Sequence, residues 1–268
     1  MLIGSHLSIS KGLGKSVDAA NEIGANCFQF FTRNPQGGAA RDIGGAEIGR
    51  WRELRRGANI FPVIGHLPYT VNLAAQNDST YEFAQMVVGR DLSRMNDLDA
   101  ELMVVHPGSR GAQSVEQGIA RIVQALTQAF LPFAGTTVLM LEAMAGQGSE
   151  IGTIEEIGII IKQLGSPKNL GLCIDSCHLF SAGYDFRKQA EVERLLDDIN
   201  THVGIERLRC VHLNDSKFDV GSHKDRHQLV GKGELGRVGL MNILTHPTLE
   251  KLPFILETPV DDYTQYAV

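Results

Sequence analysis

The chain has 268 residues, 43% hydrophobic and 21% charged, with a formal net charge of −6. This is the balance of a water-soluble globular protein with a substantial core. No run of about 18 apolar residues is present, which excludes a membrane-spanning helix. The acidic charge argues mildly against a nucleic-acid partner, unless bound cations offset it locally.

The N-terminal MLIGSHLSISKGLGKS lacks a long apolar stretch and a small-residue cleavage site, so a cytoplasmic location is expected. Short apolar runs then recur along the chain: LIGSHL (2–7), CFQFF (27–31), FPVIGHL (61–67), ELMVVHP (101–107), TVLMLEA (137–143), LGLCIDS (170–176), LRCVHLN (208–214) and PFILETP (253–259). Each reads as a buried parallel strand. Longer amphipathic segments lie between them. In 113–130, Val115, Ile119, Ile122, Val123, Leu126 and Phe130 form one helical stripe. In 153–164, Thr153 is a helix cap with Glu156 three residues on. Eight strands alternating with helices predict a single-domain α/β fold over 1–268, a (β/α)8 TIM barrel. GLGKS (12–16) lacks the G-x-G-x-x-G spacing that would favour an open doubly wound sheet.

From the third strand onward, each run ends in a potential metal ligand: His66, His106, Glu142, Asp175, His212 and Glu257. Neighbours are 33 (142 to 175) to 45 (212 to 257) residues apart, one strand–helix unit each. A barrel brings the C-terminal ends of its strands to one mouth, so six ligands from six strands should share a cavity. A lone histidine after a strand is more often structural, and a lone glutamate can pair with arginine. Six in one register are hard to ascribe to chance, and a buried ring of carboxylates needs compensating cations.

Three more candidates follow in loops. His178 lies three residues after Asp175. Asp225 and His227 form a D-x-H pair whose side chains share one side if the segment is extended. Five histidines, two aspartates and two glutamates suffice for two or three metals if a carboxylate bridges, with zinc preferred and manganese or iron possible. Cys177, next to His178, faces away if that segment is extended and reads as buried filler. Cys27, Cys173 and Cys210 are scattered and read as buried free thiols. Asp215, Asp219 and His223 read as turn formers or solvated bystanders.

FTRNP (31–35), GHLPYTVNLA (65–74), HPGS (106–109), LE and AGQG within 141–148, CIDSCH (173–178), AGYD (182–185), HLNDSK (212–217), DRH (225–227), VGKGELG (230–236) and ILETP (255–259) together resemble the endonuclease IV family. The resemblance spans nearly the whole chain. It implies a barrel with three Zn2+ ions that hydrolyses double-stranded DNA 5′ to an abasic site, giving a 3′-hydroxyl and a 5′-deoxyribose phosphate. It implies His66, His106 and Glu142 on one zinc, and Glu142, Asp175, His212 and Glu257 on a second. His178, Asp225 and His227 would hold the third. Glu142, Asp175 and Glu257 would be the catalytic carboxylates. Tyr69 would wedge into the gap left by the missing base, and Arg33 and Lys217 would touch phosphates. The chain is expected to act as a monomer.

Three departures from the family pattern stand out. Gln36 replaces the DNA-probing arginine after Arg33-Asn34-Pro35, Ala143-Met144 replace a polar pair beside Glu142, and eleven residues follow Glu257, so the last helix should be short or missing. Two rival readings are a metal-dependent sugar isomerase or epimerase on the same barrel, and a barrel that binds damaged DNA without cutting it.

Overall fold

In the computed structural model, residues 1–35 and 40–259 are described. All eight apolar runs form strands: β1 (Leu2–Ser5), β2 (Phe28–Phe31), β3 (Val63–His66), β4 (Leu102–Val105), β5 (Val138–Glu142), β6 (Leu170–Asp175), β7 (Leu208–His212) and β8 (Pro253–Leu256). They pair in parallel in the order β1-β8-β7-β6-β5-β4-β3-β2. A parallel bridge between His6 and Gln29 brings β1 to β2 and all but closes the barrel. Gly4 makes that seam possible, because a Cβ there would stand 1.8 Å from the carbonyl oxygen of Cys27.

The helices α1 (Leu13–Glu22), α2 (Gly45–Gly57), α3 (Asp78–Asp97), α4 (Val115–Phe130), α5 (Ile154–Gln163), α6 (Ser176–Ala182), α7 (Gln189–His202) and α8 (Gly236–Leu244) wrap the sheet. α4 and α5 begin as their sequences require. Ser114 with Gln117, and Thr153 with Glu156, form reciprocal capping boxes that satisfy amides left open at a helix start. The stripe of α4 buries Ile119, Ile122 and Leu126, which at about 1.5–3 kcal/mol per side chain fastens the helix to the sheet. The last helix, expected to be short or missing, would fall on residues outside the described ones.

Two short antiparallel ladders shape the mouth. Gly108–Ser109 pairs with Glu150–Ile151, tying the loop after β4 to the loop after β5. Asp215–Ser216 pairs with His227–Gln228, folding the loop after β7 back on itself. This return brings His227 next to Asp175 at the end of β6. Among the described residues, no helix is long and apolar enough to cross a membrane.

Candidate metal centre at the barrel mouth

The six strand-end residues and the three loop residues meet in one constellation centred on Glu142, which is 1% exposed. Its Oε2 lies 3.2 Å from His66 Nε2 and 3.2 Å from His106 Nε2. Its Oε1 lies 3.2 Å from His212 Nδ1. The same His212 nitrogen stands 3.2 Å from Glu257 Oε2 and 3.9 Å from Asp175 Oδ2. Beyond Asp175, His227 Nε2 lies 3.6 Å from Asp175 Oδ2 and 3.4 Å from Asp225 Oδ1, while His178 Nε2 lies 3.3 Å from Asp225 Oδ2. Glu142 thus faces two groups of side chains with its two oxygens, and Asp175 joins the second group to the third.

These separations suit metal ions better than direct hydrogen bonds. Charge-assisted N–H···O bonds run at about 2.7–2.9 Å. Two ligand atoms each about 2.0–2.1 Å from a tetrahedral zinc stand about 3.3 Å apart. His227 Nε2 is buried with no hydrogen-bond partner among the described residues, as a nitrogen reserved for a cation would be. His66, His106 and Glu142 form one group able to hold an ion, and His178, Asp225 and His227 form another. The donors are imidazole and carboxylate, a set that suits zinc.

The histidines are oriented from behind. His66 Nδ1 donates to the carbonyl of Leu67 at 2.6 Å, His178 Nδ1 to that of Ala143 at 3.0 Å and His227 Nδ1 to that of Glu257 at 3.1 Å. A carbonyl only accepts, so each ring keeps a proton on Nδ1 and turns Nε2 toward the constellation. His212 is reversed, donating from Nε2 to Gln29 Oε1 at 2.9 Å. Gln29 Nε2 donates to Glu257 Oε1 at 2.6 Å, which fixes the amide's orientation because a carboxylate only accepts. Asn214 Nδ2 donates to Asp175 Oδ2 at 2.6 Å.

Opposite charges in the constellation hold one another ionised. Burial disfavours the Glu142 carboxylate, but His212 and His106 hold it well below its ordinary range. Burial likewise opposes the charged form of His212, yet Glu257 and Glu142 raise it well above the usual histidine value. His178 is raised in the same way, against its burial, by Asp175 and Asp225. Asp225, against its own burial, is held at about 2 by His178.

Several sequence expectations resolve differently. Ser176–Ala182 is helix α6, not an extended segment. Asp175 caps it, its Oδ1 accepting from the His178 amide at 3.0 Å, and Cys177 turns its sulfur toward the carbonyl of Arg226. Arg33 does not offer its charge at the mouth. Its guanidinium is 7% exposed and paired with the buried Asp91. Tyr69 is 61% exposed in the loop after β3, and Lys217 is exposed beside the 215–228 hairpin. Gln36 lies outside the described residues. At Ala143 the backbone carbonyl serves His178, so the loss of a polar side chain there leaves that ring supported.

Asp215 is a turn organiser, accepting from the amides of Ser216, Gly233 and Gly236. His223 contacts the carbonyl of Ala145 from a left-handed conformation (φ 53°). Gln29, Asn214 and His6, whose Nδ1 lies 3.0 Å from Gln29 Nε2 and 3.6 Å from Glu257 Oε1, are the residues sequence reasoning missed. The available signals were a polar residue inside the apolar run CFQFF and a histidine ending the first strand in the register of the others.

The family model for the xylose isomerase-like TIM barrel matches residues 17–267. A protein of Moorella thermoacetica named probable endonuclease 4 is 47% identical over 267 residues, covering 99% of this chain and 95% of its own. The chain belongs to the endonuclease IV family. It is an enzyme of the AP-endonuclease type on a TIM barrel. The crystal structure of endonuclease IV from Thermus thermophilus superposes with a TM-score of 0.88 at 32% identity, covering 100% of this enzyme and 96% of that chain. A D-tagatose 3-epimerase-like protein, with a TM-score of 0.70 at 18% identity, covers 99% of the enzyme and 94% of its own chain and shares the fold alone.

Proposed function

We propose that the enzyme repairs DNA by hydrolysing the phosphodiester bond 5′ to an abasic nucleotide in a duplex, leaving a 3′-hydroxyl and a 5′-deoxyribose phosphate. The observation that carries this reading is the two-sided Glu142, whose oxygens face His66 and His106 on one side and His212 on the other. A multinuclear site needs such a bridge. The relatives named endonuclease 4 support the same reaction class.

His66, His106 and Glu142 would hold one zinc, Glu142, Asp175, His212 and Glu257 a second, and His178, Asp225 and His227 a third. When bound, zinc supplies positive charge for the phosphate oxygens and makes water a usable nucleophile near neutral pH. Glu142, Asp175 and Glu257 line the centre of the constellation, where their oxygens accept hydrogen bonds from an attacking water and aim it. Gln29 and Asn214 keep Glu257 and Asp175 from rotating away. One chain supplies all nine ligands, so the reaction needs no second copy. Four buried free cysteines accord with a reducing, cytoplasmic setting.

Selection of the abasic site rests on the low cost of turning out a nucleotide that has no base to unstack. Tyr69, exposed beside the mouth, is placed in this reading to enter the gap, and Lys217 to meet a phosphate.

The test is a duplex carrying one abasic analogue, incubated with metal-loaded protein, with and without a chelator. Cleavage 5′ to the analogue, abolished by the chelator and restored by zinc, is expected, with about three zincs per chain. Binding without cleavage at full metal loading would favour a damage-binding barrel. A single exchangeable manganese with sugar turnover would favour an isomerase.

A further inference from the structure

Side chains two residues apart on a strand point to the same face. The layer beneath the metal centre can therefore be named by stepping back two residues along each strand. Cys27 lies under Gln29, Cys173 under Asp175, Cys210 under His212 and Met140 under Glu142. All four are fully buried, in one interior cluster with Ile64, Val104 and Ile255. Cys173 and Cys210 are register partners across β6 and β7. Their sulfurs and a ring nitrogen of His212 all lie within 4.8 Å of one another. The cleavage chemistry uses none of these thiols.

We propose that Cys173, Cys210 and His212 form a second site on the barrel floor, sharing His212 with the centre above, for thiophilic d10 cations such as cadmium, mercury(II) or copper(I). Two thiolates and an imidazole are a soft donor set, unlike the carboxylate-rich layer above. On binding, two thiol protons leave to solvent as two sulfur–metal bonds form, with no change in oxidation state. Both thiols are fully buried in an otherwise apolar cluster. Because His212 belongs to both layers, an ion on the floor competes with the centre above for that ring. The site stands independently of the nuclease reading.

The experiment is a cadmium titration of the full-length, metal-loaded protein, followed by ultraviolet thiolate-to-cadmium charge-transfer absorption. One thiolate-bound cadmium per chain is expected. The band should vanish in Cys210→Ala and Cys173→Ala and persist in Cys177→Ala. Cadmium NMR of the unmodified protein decides the matter even if a variant fails to fold, since two-sulfur coordination is shifted far from an all-nitrogen-and-oxygen site. Absence of the band, its survival in Cys210→Ala, or its loss in Cys177→Ala would overturn the proposal. Abasic-duplex cleavage is a separate readout, so failure of either reading leaves the other intact.

Discussion

Gln29 Oε1 accepts the Nε2 proton of His212 at 2.9 Å, and this bond decides which nitrogen of His212 faces the carboxylates. With one proton held on Nε2, Nδ1 is the nitrogen that faces the carboxylates, 3.2 Å from both Glu142 Oε1 and Glu257 Oε2. Gln29 also anchors Glu257, so a single amide orients two of the four proposed ligands of the second zinc.

Replacing Gln29 with Leu should therefore weaken metal binding by about 10–100-fold, the usual cost of losing a group that orients a ligand. Chelator competition with zinc analysis measures this. Gln29→Glu can still accept from His212 but brings a second carboxylate against Glu257, so it should not rescue. Unchanged zinc affinity in Gln29→Leu would remove the amide from the design of the site.

Glu142→Gln keeps the shape of the bridge but removes its charge. Cleavage of the abasic duplex should fall by at least about 100-fold, and zinc content should drop below that of the unmodified protein. Near-normal turnover with full metal content would show that Glu142 does not bridge.

The pH dependence of stability should change direction with metal. His212 and His178 are raised well above the ordinary histidine value. In the stripped protein their contribution is complete below about pH 6.5 and is lost as pH rises through their raised values. Glu142 and Asp225 are depressed, Asp225 to about 2, so their contribution is present above about pH 4.5 and lost as pH falls toward those values. The stripped protein should be most stable between about pH 4.5 and 6.5. The zinc-loaded protein should gain stability above that window, because zinc binding releases the same protons. Thermal unfolding of both forms from about pH 5 to 9 checks this. Parallel curves would contradict it.

Arg33 and Asp91 test a structural role. Asp91 is 1% exposed and accepts from Thr32 Oγ1 at 2.6 Å and from Arg33 Nε at 2.9 Å. Asp91→Ala removes the carboxylate paired with a buried guanidinium and should cost about 3–5 kcal/mol in urea unfolding, with zinc content unchanged. A loss of DNA affinity without a loss of stability in Arg33→Ala would instead return Arg33 to the phosphate backbone.

The barrel and the residues that gather at its mouth are legible in the order of residues alone. A parallel sheet buried on both faces must be written as short apolar runs. Each run stops where its side chain leaves the core for the mouth, so His66, His106, Glu142, Asp175, His212 and Glu257 can be picked out one by one. The caps at Ser114 and Thr153 are legible too, because a capping box is local. What these residues do to one another is set by the closed fold. That Glu142 turns one oxygen to His66 and the other to His212 depends on strands 70 or more residues apart (142 to 212). That Gln29 is a support and Arg33 a buried ion-pair partner depends on elements brought together across the barrel wall. The difference is one of range. Periodicity and capping act over one to four residues of chain, whereas ligand geometry, tautomer choice and charge pairing act over a few ångströms of space that only barrel closure brings within reach.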